Sequence, residues 1–248
     1  MRVGIFDSGI GGLTVLKEIV KSKPQNEYIY VGDTLNVPYG NKNKEELLKL
    51  SKSIIDYLIS KEVDIIIIAC GTVSSNIGNV LKQIYNIPII DIISPTLEAL
   101  KKSKYKNIGV IATHMTVNSK IFSKSLDDRQ VFELECPKLV PAIENNDENV
   151  INNTLNNYLQ FFKGQNIELL ILGCTHYPIV ENNINCILEN KISIFNMATP
   201  IIDMLADKKI SDKSYVEINM TALNTKITTN INRILEDIDY NINFIKLN

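Results

Sequence analysis

The sequence predicts an α/β fold of two similar domains with mainly parallel sheets and the active site at the interface between them. Three observations point there. Strand-length apolar runs alternate with helix-period segments along nearly the whole chain. Two of the runs, residues 64–69 and 168–172, are apolar on both faces, as a parallel strand covered by helices on each side must be. Both runs end close to a cysteine, at Cys70 and Cys174.

Taken in order, residues 2–6 read as a strand, followed by a helix with Leu13, Leu16 and Ile19 or Val20 on one face. A second strand covers 28–31. A helix over 45–60, with Leu47, Leu48, Ile54, Ile55, Leu58 and Ile59 apolar, leads to the strand 64–69. A helix over 74–85 and a strand over 87–93 close the first repeat. The pattern restarts with a helix over 95–102, a strand over 107–112, a helix over 117–126 and a strand over 131–135. A helix over 152–162, the strand 168–172, a strand over 192–196 and a helix over 200–207 complete this half. The tail reads as a strand over 215–220, a helix over 231–238 and a strand over 242–247. The first domain is therefore drawn as residues 1–93 plus 208–248, with the tail returning to it, and the second as 94–207.

Of the 248 residues, 45% are hydrophobic and 22% charged, which suits a globular chain with a sizeable core and excludes a disordered or fibrous one. A net charge of −2 supplies no basic field, so neither nucleic acid nor a membrane surface is expected as a partner. Lys101, Lys102, Lys104 and Lys106 stand beside a predicted helix end and read as a solvated face. No apolar run reaches bilayer length and the first residues lack a signal-peptide layout, so a cytoplasmic chain is expected. In that compartment the four cysteines are reduced, and their spacing carries no zinc pattern.

The two buried strands share an ending. One runs Ile65-Ile66-Ile67-Ile68-Ala69-Cys70-Gly71-Thr72 and the other Leu169-Leu170-Ile171-Leu172-Gly173-Cys174-Thr175-His176. In open α/β sheets the carboxyl edge is where ligands bind. Two thiols reaching one carbon from opposite sides fit proton abstraction on one face and return on the other, which inverts a stereocentre. One must be a thiolate while the other is a thiol. His176 is suited to pass protons beside Cys174. Asp7, just past the first strand, fits the other side as proton acceptor or orienter, because its charge would raise a nearby thiol's pKa. Cys136 and Cys186 lack this echo and read as small buried apolar side chains.

The turn Asp7-Ser8-Gly9-Ile10-Gly11-Gly12 admits three readings: a tight turn with Ser8 capping the helix, a dinucleotide loop, or a carboxylate cradle of Ser8 and helix-start N–H groups. Thr14 stands where the dinucleotide pattern has its third glycine, which weakens the second.

Together these segments resemble the glutamate racemases of the aspartate/glutamate racemase superfamily. The likeness rests on Phe6 to Leu13, on Tyr30-Val31-Gly32-Asp33-Thr34 with Pro38-Tyr39-Gly40, on Cys70 to Thr72, and on Gly173-Cys174-Thr175-His176-Tyr177-Pro178. Ile111-Ala112-Thr113 with Thr116, and Leu139-Val140-Pro141 with Glu144, add to it. The resemblance implies interconversion of L- and D-glutamate without pyridoxal phosphate or metal, supplying D-glutamate for bacterial peptidoglycan and so for cell shape. It implies that Cys70 takes the proton from D-glutamate and Cys174 from L-glutamate. Asp7 and His176 would assist, with Glu144 as a further polar partner. Ser8, Tyr39, Gly40, Gly71, Thr72, Thr113, Thr116 and Thr175 would hold the carboxylates and ammonium. It also implies a homodimer. The family pattern has asparagine after the first cysteine; here Gly71 leaves only a backbone N–H. Two alternatives stay open: a racemase of aspartate or another amino acid using the same thiols, and an amino-acid-binding protein without catalysis. A cysteine hydrolase would leave the second matched cysteine unexplained.

Overall fold

A computed structural model describes residues 1–205 and 215–247. Its strands are β1 (Arg2–Asp7), β2 (Glu27–Gly32), β3 (Ile65–Ile68), β4 (Ile89–Asp91), β5 (Asn107–Ala112), β6 (Gln130–Glu135), β7 (Leu169–Gly173), β8 (Ser193–Phe195), β9 (Tyr215–Met220) and β10 (Asn241–Phe244). They form two sheets, ordered β10-β9-β2-β1-β3-β4 and β6-β5-β7-β8, and every pairing is parallel. The doubly apolar runs become β3, held between β1 and β4, and β7, held between β5 and β8. Ile66, Ile67 and Ile68 are fully buried, as are Leu170 and Ile171. Each such side chain stabilises the fold by roughly 1.5–3 kcal/mol relative to exposure. β9 adds to the outer edge of β2, pairing Tyr215 with Glu27 and Met220 with Gly32.

Polar residues set where the helices start. Asn43 caps the helix Lys44–Ser60 in a reciprocal box with Glu46. Asp91, at the end of β4, accepts the N–H groups of Ile93 and Ser94 at 2.9 and 2.8 Å and pairs with Lys82. That anchor starts the helix Ile93–Lys102 two residues before the expected 95 and cuts short the strand expected over 87–93.

Other expectations are corrected. The helix expected over 117–126 is two short ones, His114–Ser119 and Ile121–Ser125, broken where Lys120 turns left-handed at φ 58°. Helices Leu139–Asn145 and Glu181–Ile187 had no counterpart in the sequence reading. Pro141 fits the first of these because first-turn N–H groups have no helical partner to lose. Cys136 is buried as expected, but Cys186 is exposed. It lies two residues from the buried Ile184, on the opposite side of its helix. The tail helix runs Thr225–Ile234 rather than 231–238. The helix expected over 200–207 is a short one, Thr199–Ile202; residues 206 and 207, and the boundary drawn after 207, lie outside the described residues. Among the described residues no helix is long and apolar enough to cross a membrane.

Candidate active site

Asp7 is the last residue of β1, Cys70 follows β3, Thr113 follows β5 and Cys174 follows β7, so the carboxyl edges of both sheets supply the site. These edges meet. A Cβ on Gly71 would stand 2.8 Å from the carbonyl oxygen of Gly173, so the residue after one cysteine touches the residue before the other. The Thr175 hydroxyl donates to Asp7 Oδ2 across the same seam at 3.1 Å, and the Thr14 hydroxyl donates to the Thr175 carbonyl at 2.8 Å. Thr14 thus joins the two halves at the position where a dinucleotide loop would carry glycine.

The Asp7–Gly12 turn is shaped by close approach. Asp7 Oδ1 accepts the Gly9 N–H, and the buried Tyr30 hydroxyl donates to the Gly9 carbonyl at 2.7 Å. A Cβ on Gly11 would lie 2.3 Å from His176 Nδ1, so the imidazole packs directly on glycine backbone. Gly12 caps the following helix without a side-chain bond. Ser8 does not cap it; its hydroxyl lies 3.7 Å from the Cys70 sulfur and accepts from the thiol.

The two thiols have unlike surroundings. Cys70 is 4% exposed; burial first, and then the Asp7 charge, push its pKa up to about 12, against the pull of the Val73 N–H and Ser8. Burial also raises the Asp7 carboxyl, partly offset by His176 and by the Gly9 and Thr175 donors. Cys174 lies 4.0 Å from His176 Nδ1, and His176 Nε2 donates to Glu144 Oε1 at 3.0 Å. Burial acts to lower the imidazole pKa, but Cys174 and Glu144 outweigh it and push it up to about 10. Glu144 is held low, its burial being outweighed by His176 and Lys226. One cysteine therefore faces an acidic neighbour and the other a histidine–glutamate pair.

A chain of hydroxyls links the halves beside Gly71. Thr72 and Thr113 are 2.9 Å apart, Thr113 and Thr116 3.0 Å, and Ser75 donates to Thr116 at 3.4 Å. Gly40 lies against Thr113. Tyr39 turns its hydroxyl to Asp33, donating at 2.7 Å. Asp33, fully buried, also accepts from Asn36 and Thr221. In the sequence Asp33 stands out as part of the likeness over residues 30–34, and nothing there marks Ser75 or Asn76, whose amide ties Thr72 to Met115. Among the described residues no cluster of three His, Cys, Asp or Glu is arranged to hold a metal ion.

The chain is similar to known proteins in sequence and in fold. The family model of the Asp/Glu/Hydantoin racemases matches residues 11–205. A glutamate racemase of Sulfurihydrogenibium is 42% identical over 219 residues, covering 85% of this chain and 84% of that protein. The crystal structure of a Bacillus anthracis glutamate racemase superposes with a TM-score of 0.91 at 27% identity, covering 99% of this chain and 97% of the other. The glutamate racemase of Francisella tularensis in complex with D-glutamate gives 0.88 at 29% identity, with 99% and 97% covered.

Proposed function

We propose that this chain, which belongs to the Asp/Glu/Hydantoin racemase family, is a glutamate racemase that inverts the α-carbon with Cys70 and Cys174 as its proton carriers. The observation that supports this most directly is the contact of the two cysteine-bearing strand ends at Gly71 and Gly173, each thiol keeping its own polar partner. From L-glutamate, the Cys174 thiolate takes the α-proton: the Cα–H bond breaks, an S–H bond forms and the electron pair stays on carbon. Cys70 then gives its own proton to the opposite face and is left as the thiolate. From D-glutamate the roles reverse. Burial and Asp7 keep Cys70 protonated at rest, so the enzyme waits with its acid loaded on that side.

His176, hydrogen-bonded to Glu144, supports charge at Cys174, and Asp7 orients the Cys70 side through the Gly9 N–H and Thr175. Ser8, Gly71, Thr72, Thr113, Thr116, Thr175 and Gly40 line the seam and hold the carboxylates and ammonium, with Tyr39 set by Asp33 at its rim. In this reading the thiols do the chemistry without a cofactor. The D-glutamate supplies peptidoglycan synthesis in the cytoplasm, the enzyme works as a homodimer, and residues 1–93 with 208–248 form one domain and 94–207 the other.

The test is incubation with L- or D-glutamate in D₂O, followed by circular dichroism and α-deuteration by NMR. Loss of optical signal with deuterium at Cα, abolished in Cys70→Ala and in Cys174→Ala, supports the assignment. Racemisation of aspartate alone keeps the chemistry and changes the substrate. No exchange with either amino acid refutes it.

A further inference from the structure

The His176–Glu144 pair is held from the far end of the chain. Glu144 lies in the last turn of the helix Leu139–Asn145, which stops where Asn146 turns left-handed at φ 54°. Carbonyls in a last helical turn lack intrahelical donors. Here they are met by the tail helix Thr225–Ile234, which sits in sequence between β9 and β10 of the other sheet. Asn230, 4% exposed, donates its side-chain amide to the Glu144 carbonyl at 3.0 Å. Arg233 donates to the Ile143 carbonyl at 3.2 Å and to the Asn146 side chain. Lys226 reaches Asn145 Oδ1 at 2.7 Å. Cationic donors at a helix C-terminus also suit its partial negative charge.

We propose that Asn230, seconded by Arg233, is a positioning residue for proton transfer at Cys174. It fixes the main chain of Glu144, the carboxylate fixes the imidazole of His176, and the imidazole faces the sulfur. Asn230 touches no reacting atom. This rests on the two-thiol reading above, and its consequence is one-sided: loosening the relay slows transfer at Cys174 and leaves transfer at Cys70 as it was.

Rate asymmetry cannot report this. Enantiomers have an equilibrium constant of one, so kcat/KM must fall equally in both directions. Isotope effects can report it. In Asn230→Ala, kcat/KM for both enantiomers is expected to drop about tenfold, a fraction of the loss a full ångström of misplacement brings. The primary isotope effect should rise with α-deuterated L-glutamate, whose deuterium goes to Cys174. It should fall with α-deuterated D-glutamate, whose abstraction by Cys70 becomes reversible before the slow step. Arg233→Ala should skew the effects the same way, and Thr229→Ala, an exposed neighbour on the tail helix, should not. Isotope effects in Asn230→Ala that match the parent, with or without a lower Tm, overturn the proposal alone. A parent protein that exchanges no α-proton overturns both it and the racemase reading.

Discussion

Gly11→Ala adds one methyl group at the point where His176 rests on the backbone. The new Cβ would meet His176 Nδ1 at 2.3 Å, Thr175 Oγ1 at 2.5 Å and His176 Cε1 at 2.6 Å, where ordinary contact begins at 3.4 Å. The ring must retreat by about 1.1 Å, the shortfall of 2.3 Å from 3.4 Å. It has little room, since it is buried and hydrogen-bonded to Glu144 on its far side. Overpacking of this kind costs about 1–3 kcal/mol of stability. A displacement of about 1 Å in a catalytic group lowers kcat by roughly 100-fold, or about 2.7 kcal/mol of barrier. Racemisation followed by circular dichroism, with a thermal melt on the same sample, reads both. A folded Gly11→Ala protein with kcat within about threefold of the parent would show that His176 is not held by this glycine.

Three further variants have definite expected outcomes. The His176 pKa is about 10 in the fold and about 6.5 in the unfolded chain, so its stabilisation is complete below pH 6.5 and drains as pH climbs towards 10. Glu144→Gln removes one cause of that elevation, and between pH 6.5 and 9 its Tm should fall less steeply than the parent's; parallel curves would refute this. Gly71→Asn supplies the side chain the resemblance leads one to expect but sets a Cβ 2.8 Å from the Gly173 carbonyl, so the strand ends must part by about 0.6 Å to reach 3.4 Å. Its kcat should fall about tenfold, and a rise in the circular-dichroism assay would contradict the packing. Gly78→Ala, inside the helix Gly71–Ile84, meets Asp91 first, its Cβ at 3.5 Å and Cγ at 3.7 Å, which is ordinary contact. It should add about 0.5–1 kcal/mol and raise Tm by about 1–4 °C with unchanged turnover.

What could be read in advance depended on how local its cause was. β3 and β7 were legible because four successive apolar residues between helix-period segments are too short for a buried helix and fit a covered strand, and their cysteines because the same ending occurs twice. The break at Lys120 was not, since lysine in a left-handed turn leaves no composition signal. Glu144 needed the resemblance: its helix begins Leu139-Val140-Pro141, where proline masks the period. Gly11 was legible as a turn glycine, but its contact with His176 joins segments far apart in sequence. The same distance hid Asn230, and it hid the bond from Thr221 to Asp33, 188 residues apart.

The pairing of β9 with β2 has a consequence for the newborn chain. β5 to β8 lie in one uninterrupted stretch, so the four-stranded sheet can close while the ribosome is still at work. The other sheet must wait, and until β9 emerges β2 presents a bare, apolar edge, the kind of surface that recruits stray strands. The Thr221 bond to Asp33 and the Asn230 bond to Glu144 arrive with the same late segment. A nascent chain halted before Tyr215 would therefore carry both thiols while β2 lay open and Asp33 and Glu144 lacked the bonds that brace them.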